Sequence, residues 1–222
     1  MKAFISYSSL QTDHAKVVKD FLRDIKVDSF VANDDLRSAT DWKKSIMEEL
    51  LECEIFIPLL SKNSKASNWC SQEIGIAYAK KKKIVPISID ATRPYGFIGH
   101  LQAKTIDEHQ VEILLSEGLL ENRIPNGSLG FIEMLKWKGS FRFSEIIFKS
   151  MAPFFRRIST EDINKIVELS ISNNQVWPAA DCRSDYIPKL LSARKSDIDP
   201  LSYKKLKFQI DNQKWYDDES QE

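Results

Sequence analysis

Glycine is scarce in this chain. Only 7 of its 222 residues are glycine, against an average usage of roughly 7%, and the first is Gly75. A dinucleotide-binding fingerprint needs glycines at the first strand-to-helix turn, and a P-loop needs them around its phosphates, because only residues without a Cβ let backbone N–H groups approach so closely. Both are excluded where they would have to lie. Cysteine is scarce too: Cys53, Cys70 and Cys182 are widely spaced, odd in number and free of CxxC or Cys/His clusters. Neither a disulfide framework nor a zinc site is indicated, and a reducing cytoplasm fits best. Net charge is absent, with 32 basic and 32 acidic residues, so bulk attraction to nucleic acid or to an anionic membrane is a poor hypothesis. No apolar run has the length of a signal peptide or of a membrane span, so the expectation is a cytoplasmic protein without a membrane partner.

What the chain does contain is enough apolar and aromatic residues, 42% and 10%, for a real core. Its length suits one main domain with a smaller appendage. Over the first 90 residues, strand-length apolar runs alternate with helix-length amphipathic stretches, the pattern of parallel βα units. Strands are predicted at Ala3 to Tyr7, Asp28 to Ala32, Glu54 to Leu60 and Ile84 to Ile89, and helices at Asp13 to Ile25, Asp41 to Cys53 and Ser67 to Lys80. A short strand near Ala103 to Ile106 and a helix from Glu108 to Leu120 would complete a five-stranded sheet. Pro125, Gly127, Gly130 and Gly139 suggest a junction or hairpin over 121–139. Helices are then predicted at Phe143 to Phe155, Thr160 to Ser172, Asp185 to Ala193 and Leu201 to Ile210, the second with a capped acidic start at Thr160-Glu161-Asp162. The organisation expected is therefore a domain over 1–120, a junction over 121–139, a helical domain over 140–216 and a disordered acidic tail over 217–222.

In a doubly wound open sheet, ligands sit beyond the carboxyl ends of the strands. That rule selects Ser6-Tyr7-Ser8-Ser9, Asn33-Asp34-Asp35, Ser61-Lys62-Asn63-Ser64 and Asp90. A phosphoacceptor receiver domain shares this architecture but needs carboxylates where Ser8 and Ser61 stand, so no magnesium cluster is available and no metal site is expected. At the start of the helix after the third strand, Trp69 and Glu73 are four residues apart and share a face, with Cys70 between them. An aromatic plane beside a carboxylate suits a cationic aromatic ring bonded to a sugar: the indole stacks on the ring, and the carboxylate supports positive charge at the anomeric carbon. The same spacing is equally that of a tryptophan covering the core and an ordinary surface glutamate. Cys70 reads either as a reactive thiol near a helix N-terminus or as a small buried apolar residue. Lys80 to Lys83 is read as a solvated helix terminus complementing the macrodipole, Trp137, Trp177 and Trp215 as packing residues, and His14, His100 and His109 carry no assignable role.

Four blocks in order carry a resemblance: Phe4-Ile5-Ser6-Tyr7-Ser8; Asp34 to Trp42; Ile57-Pro58-Leu59-Leu60-Ser61; and Ser67-Asn68-Trp69-Cys70-Ser71-Gln72-Glu73 followed by Ile84-Val85-Pro86-Ile87. Over about residues 1–120 the chain resembles a TIR (Toll/interleukin receptor) domain, most closely of the bacterial branch. The resemblance implies an α/β, flavodoxin-like fold with a five-stranded parallel sheet, followed here by a smaller, mainly helical C-terminal region. It further implies cleavage of NAD to nicotinamide and ADP-ribose or a cyclic ADP-ribose, with NAD as substrate and no retained cofactor. The family's catalytic glutamate falls on Glu73, and its substrate pocket on Ser6, Tyr7, Ser8, Asp34, Trp42, Trp69 and Cys70. Self-association through TIR domains, and a separate effector answering the product as in antiphage systems of the Thoeris type, are implied as well. The chain departs from the family at Leu36 to Thr40, where relatives usually carry a Pro-Gly pair in a loop that docks a neighbouring subunit. Two other functions are open: a noncatalytic adaptor joining TIR domains, and a nucleoside deoxyribosyltransferase-like enzyme, which also breaks N-glycosidic bonds with a carboxylate.

Overall fold

The computed structural model describes residues 1–31, 42–105, 111–137 and 139–215, the side chains of Trp42 and Lys104 excepted. Two compact units divide at Asn126.

The first unit is a parallel sheet flanked by helices. Its strands are β1 (Lys2–Ser6), β2 (Asp28–Val31), β3 (Ile55–Leu60), β4 (Lys83–Ile84), β5 (Ile87–Ser88) and β6 (Lys104–Thr105). The order across the sheet is β2-β1-β3-β5-β6, with β4 also on β3. β4 and β5 occupy one position, where the sequence predicts a single strand. Pro86 stands between them and has no N–H for the ladder, while Val85 and Ile89 keep the alignment by donating to the Phe56 and Leu60 carbonyls. The sheet thus has the five positions expected, and every pairing is parallel.

The helices of this unit are α1 (Thr12–Asp24), α2 (Trp42–Glu52), α3 (Lys62–Ala66), α4 (Asn68–Ala79) and α5 (Val111–Glu121). Side chains alternate across a strand, so Phe4 and Ser6 share one face of β1. Phe4 joins Phe30, Phe56 and Leu60 in a core cluster with Ile46 and Leu50 of α2 and with Ile74 and Ala77 of α4. Ser6, two residues on from Phe4, therefore points to the face that α4 covers. Ala3, Ile5, Ile55 and Ile57 are fully buried on the opposite face, beside α1 and α5, which pack on each other, on β2 and on β5. At Gly118 of α5 an added Cβ would clash with Val85 Cγ1, so a hydrogen at this position sets how closely α5 approaches the strand.

The ends of α1, α4 and α5 are made without glycine. α1, α4 and α5 are followed by left-handed residues, Lys26 (φ 59°), Lys81 (φ 54°) and Arg123 (φ 60°), positions where glycine carries no Cβ penalty. Lys82 has a specific duty: its ammonium donates to the Leu51 and Cys53 carbonyls, both at 2.5 Å, and so satisfies the exposed end of α2.

The second unit is helical: most of α6 (Asn126–Lys136), then α7 (Phe141–Met151), α8 (Thr160–Ser172), α9 (Ile187–Ala193) and α10 (Pro200–Asn212). α6 occupies most of the segment where the sequence suggests a junction or hairpin. The predicted helical start at Thr160 is capped one residue earlier, by Ser159 accepting from the Asp162 amide, and Ser140 and Asp199 cap α7 and α10 in the same way. A π-helical turn, Cys182–Tyr186, leads into α9. Residues 217–222, read from sequence as a disordered tail, lie outside the described residues, as do the loop from Asn33 to Thr40 and Ile106. Among the described residues no helix is long and apolar enough to cross a membrane.

Candidate functional site

The carboxyl end of β1 and the first turns of α4 meet at one carboxylate. Ser67 caps α4, its hydroxyl accepting from the Cys70 amide, and this sets the phase of the helix. One turn on, Glu73 faces the sheet and is only 6% exposed. Ser6 Oγ donates to Glu73 Oε2 at 2.5 Å. No lysine or arginine among the described residues pairs with this carboxylate, although buried charges are ordinarily paired. Burial accordingly pushes the Glu73 pKa up to about 7, with the Ser6 hydrogen bond pulling the other way.

Trp69 and Glu73 share a helix face, as the spacing requires, but they differ in depth. Trp69 is 42% exposed at the rim, and Lys43 Nζ sits 5.7 Å from the centroid of its indole. That cation shows that the ring face is open to positive charge. Cys70 is buried. Its thiol pKa is raised, chiefly by burial, against the hydrogen bond with Ser67, which places it with the packing cysteines rather than the reactive ones.

Of the other residues selected from sequence, Tyr7 is buried next to Ser6. Ser8 is half-buried and caps the short turn Ser9–Gln11, with the Gln11 side chain accepting from the Ser8 amide at 3.1 Å. Ser61 and Ser64 form a reciprocal cap that starts α3. Asp90 accepts from the Lys62 amide at 2.9 Å and from Thr92, and these donors hold its carboxyl below the usual range. Asp90 thereby joins the loop after β5 to the start of α3. Asp34 lies outside the described residues, and so does the side chain of Trp42. Among the described residues no group of His, Cys, Asp and Glu is arranged to hold a metal ion.

Tyr95 joins the site without a sequence motif to announce it. Its half-buried phenol donates to the Ser64 carbonyl at 3.0 Å, and its pKa is raised first by burial and further by the nearby Cys70 and Glu73. The available signal was an aromatic residue between Pro94 and Gly96, in the loop after the fourth strand position.

A five-position parallel sheet with mostly buried serines at its strand ends and the buried, unneutralised carboxylate of Glu73 defines an α/β protein of the flavodoxin-like class, with its polar residues gathered where that architecture binds ligands. A family model described as TIR domain matches residues 3–115, just over half of the chain, and the chain belongs to the TIR-domain family. Among curated proteins no relative matches it.

Proposed function

We propose that the chain consumes NAD, breaking the bond between nicotinamide and ribose, with Glu73 as the catalytic residue. The observation that carries this reading is the buried carboxylate itself: 6% exposed, held by one hydroxyl, and without a cationic partner among the described residues. A carboxylate in that setting destabilises the fold and favours a positively charged ligand beside it. The nicotinamide ribosyl bond supplies that charge. The leaving group is already a cationic pyridinium, so the bonding pair departs with the ring nitrogen as neutral nicotinamide and no general acid is needed. Positive charge then develops on the ribose, and ionised Glu73 stabilises it. Water, or a nucleophile of the same molecule, adds to the anomeric carbon, and the proton that water loses passes to Glu73 or to solvent.

The other residues take supporting roles in this proposal. Trp69 offers an indole face for the pyridinium, a place where Lys43 must yield or the opposite face be used. Ser6 positions Glu73; Tyr7, Ser8, Asp34, Trp42 and Cys70 complete the proposed pocket. The TIR family is known for self-association and includes NAD-cleaving enzymes, which supports the reading by analogy. On the same analogy the product is ADP-ribose or a cyclic ADP-ribose messenger read by a separate effector in antiphage defence.

A noncatalytic TIR adaptor is the second reading. It is favoured by an exposed aromatic group in the first unit: Phe97, 67% exposed, stacks on Tyr78 at 5.5 Å, with His100 edge-on at 6.0 Å from Tyr78. Incubation of the concentrated protein with NAD separates the two readings, since only the enzyme releases nicotinamide, and the Glu73→Gln variant should release none while remaining folded.

A further inference from the structure

The helical unit contains a groove of about 860 Å³, bounded by the turn after α7 on one side and by the π-helical turn and α9 on the other. Its charge is uneven. Arg156, Arg157 and Lys189 line it against a single acid, Asp185, and Asp185 is already paired with Lys189 at 2.7 Å. The two arginines have no carboxylate partner among the described residues. The carbon of the Arg157 guanidinium lies 5.9 Å from the centroid of the Phe154 ring.

The turn that carries these arginines is held from below. Arg194 is 8% exposed and donates from one guanidinium nitrogen to the Phe155 and Ile158 carbonyls, at 2.5 and 2.6 Å. Its own charge is met by Asp197 at 2.6 Å. The backbone on either side of Arg156 and Arg157 is thus fixed by a buried arginine whose charge is met at its half-exposed partner Asp197, and two unneutralised guanidiniums from consecutive residues line the groove. The opposite wall is made by α9 and, in Ser184 and Asp185, by a π-helical turn, an uncommon geometry that is frequent at functional sites. Pro153, Phe155 and Pro188 supply apolar surface, and the volume is that of a small-molecule pocket.

We propose that this groove binds a phosphate-bearing small molecule with an apolar or aromatic portion, of nucleoside diphosphate size, with Arg156 and Arg157 on the phosphates. Guanidiniums present forked donors that match phosphate oxygens, two consecutive residues supply them to the same groove, and the apolar wall accommodates a base. Two uncompensated cations suit a diphosphate. A nucleic acid duplex needs several more phosphate contacts, and the net charge of the chain is zero.

The test is calorimetric titration of the full chain with ADP, inorganic pyrophosphate, adenosine and a short DNA duplex, on the wild type and on Arg156→Ala/Arg157→Ala. Circular dichroism confirms that the variant is folded. A nucleotide site at Glu73 would contribute equally to both proteins, so the difference between them isolates the groove. The expected result is that ADP and pyrophosphate bind the wild type and weaken on the order of 100-fold in the variant, about tenfold for each arginine whose charge-assisted hydrogen bonds are removed. Adenosine should show no such difference, and Arg156→Lys/Arg157→Lys should fall between. The proposal is overturned if ADP and pyrophosphate bind both proteins alike or neither, or if only the DNA duplex distinguishes them.

Discussion

Ser6 and Glu73 are 67 residues apart in sequence, and the Ser6 hydroxyl donates to the Glu73 carboxylate at 2.5 Å. The strand alternation that places Phe4 in the core beneath α4 also places Ser6 against that helix. Because the hydroxyl is neutral, the pair leaves a carboxylate whose ionisation costs stability, and several measurable consequences arise from this.

Stability should fall as Glu73 ionises. Its folded-state pKa is about 7, above the ~4.3 of an unfolded glutamate, so between these values the folded chain holds a proton that the unfolded chain has lost. The Glu73 contribution is fully present below about pH 4 and is lost as the pH rises through 7. Glu73→Gln, which cannot ionise, should match the wild type near pH 4 and exceed it at pH 8 by on the order of 3 kcal/mol. Denaturant unfolding across this range measures the difference, and equal stability of the two proteins at pH 8 would contradict the burial account.

Activity should run opposite to stability. If ionised Glu73 stabilises the developing ribosyl cation, kcat/KM for NAD should rise through the free-enzyme pKa of about 7. Ser6→Ala removes the one hydrogen bond that favours ionisation, so the rising limb should move to higher pH by up to about one unit. Ser6→Thr, which keeps a hydroxyl, should restore it. A limb unmoved by Ser6→Ala would show that Ser6 does not position this carboxylate.

All three cysteines should be unreactive in the native protein. Burial pushes the Cys53 thiol up to about 11 and the Cys182 thiol up to about 12, and raises Cys70 as well. A thiol reagent at pH 7.5 should therefore label none of them until denaturant is added, and should then label all three. Rapid labelling of Cys70 in the folded chain would return it to the reactive class.

The scarcity of glycine has a stability consequence of its own. Lys26, Lys81 and Arg123 hold left-handed backbone at helix ends, where a side chain costs about 1 kcal/mol relative to glycine. Lys26→Gly, Lys81→Gly and Arg123→Gly should each stabilise the chain by roughly 0.5 kcal/mol after the added flexibility of the unfolded chain is deducted. Lys80→Gly is the control: its φ is −85°, and glycine there should destabilise. Thermal unfolding of the four variants reads the contrast.

The first unit was largely legible because its signals are local. Apolar alternation and continuous apolar runs marked β1, β2 and β3, and three- and four-residue spacing marked α1, α2 and α4. Two helices escaped for physical reasons. α3 is nucleated by the reciprocal Ser61–Ser64 cap, which on composition reads as polar loop. α6 begins Asn126-Gly127-Ser128 and contains Gly130, residues that favour turns, yet Gly127, Gly130, Phe131 and Ile132 are buried and packing overrides propensity. At the site, helical spacing paired Trp69 with Glu73 but carried no information on depth, which depends on where the sheet lies. Nor could spacing join Ser6 to Glu73, or bring in Tyr95, since those relationships exist only once β1 and the loop after β5 close around α4. Asp34 and Trp42 rest on the family resemblance alone.

If Glu73 is kept buried and unneutralised in order to break a ribosyl bond, mass spectrometry of NAD incubated with concentrated wild-type protein and with Glu73→Gln tests that role most directly. Nicotinamide, with ADP-ribose or its cyclic isomer, is expected from the wild type, and unchanged NAD from a variant whose circular dichroism is unaltered. Equal nicotinamide release from the two proteins would contradict the assignment.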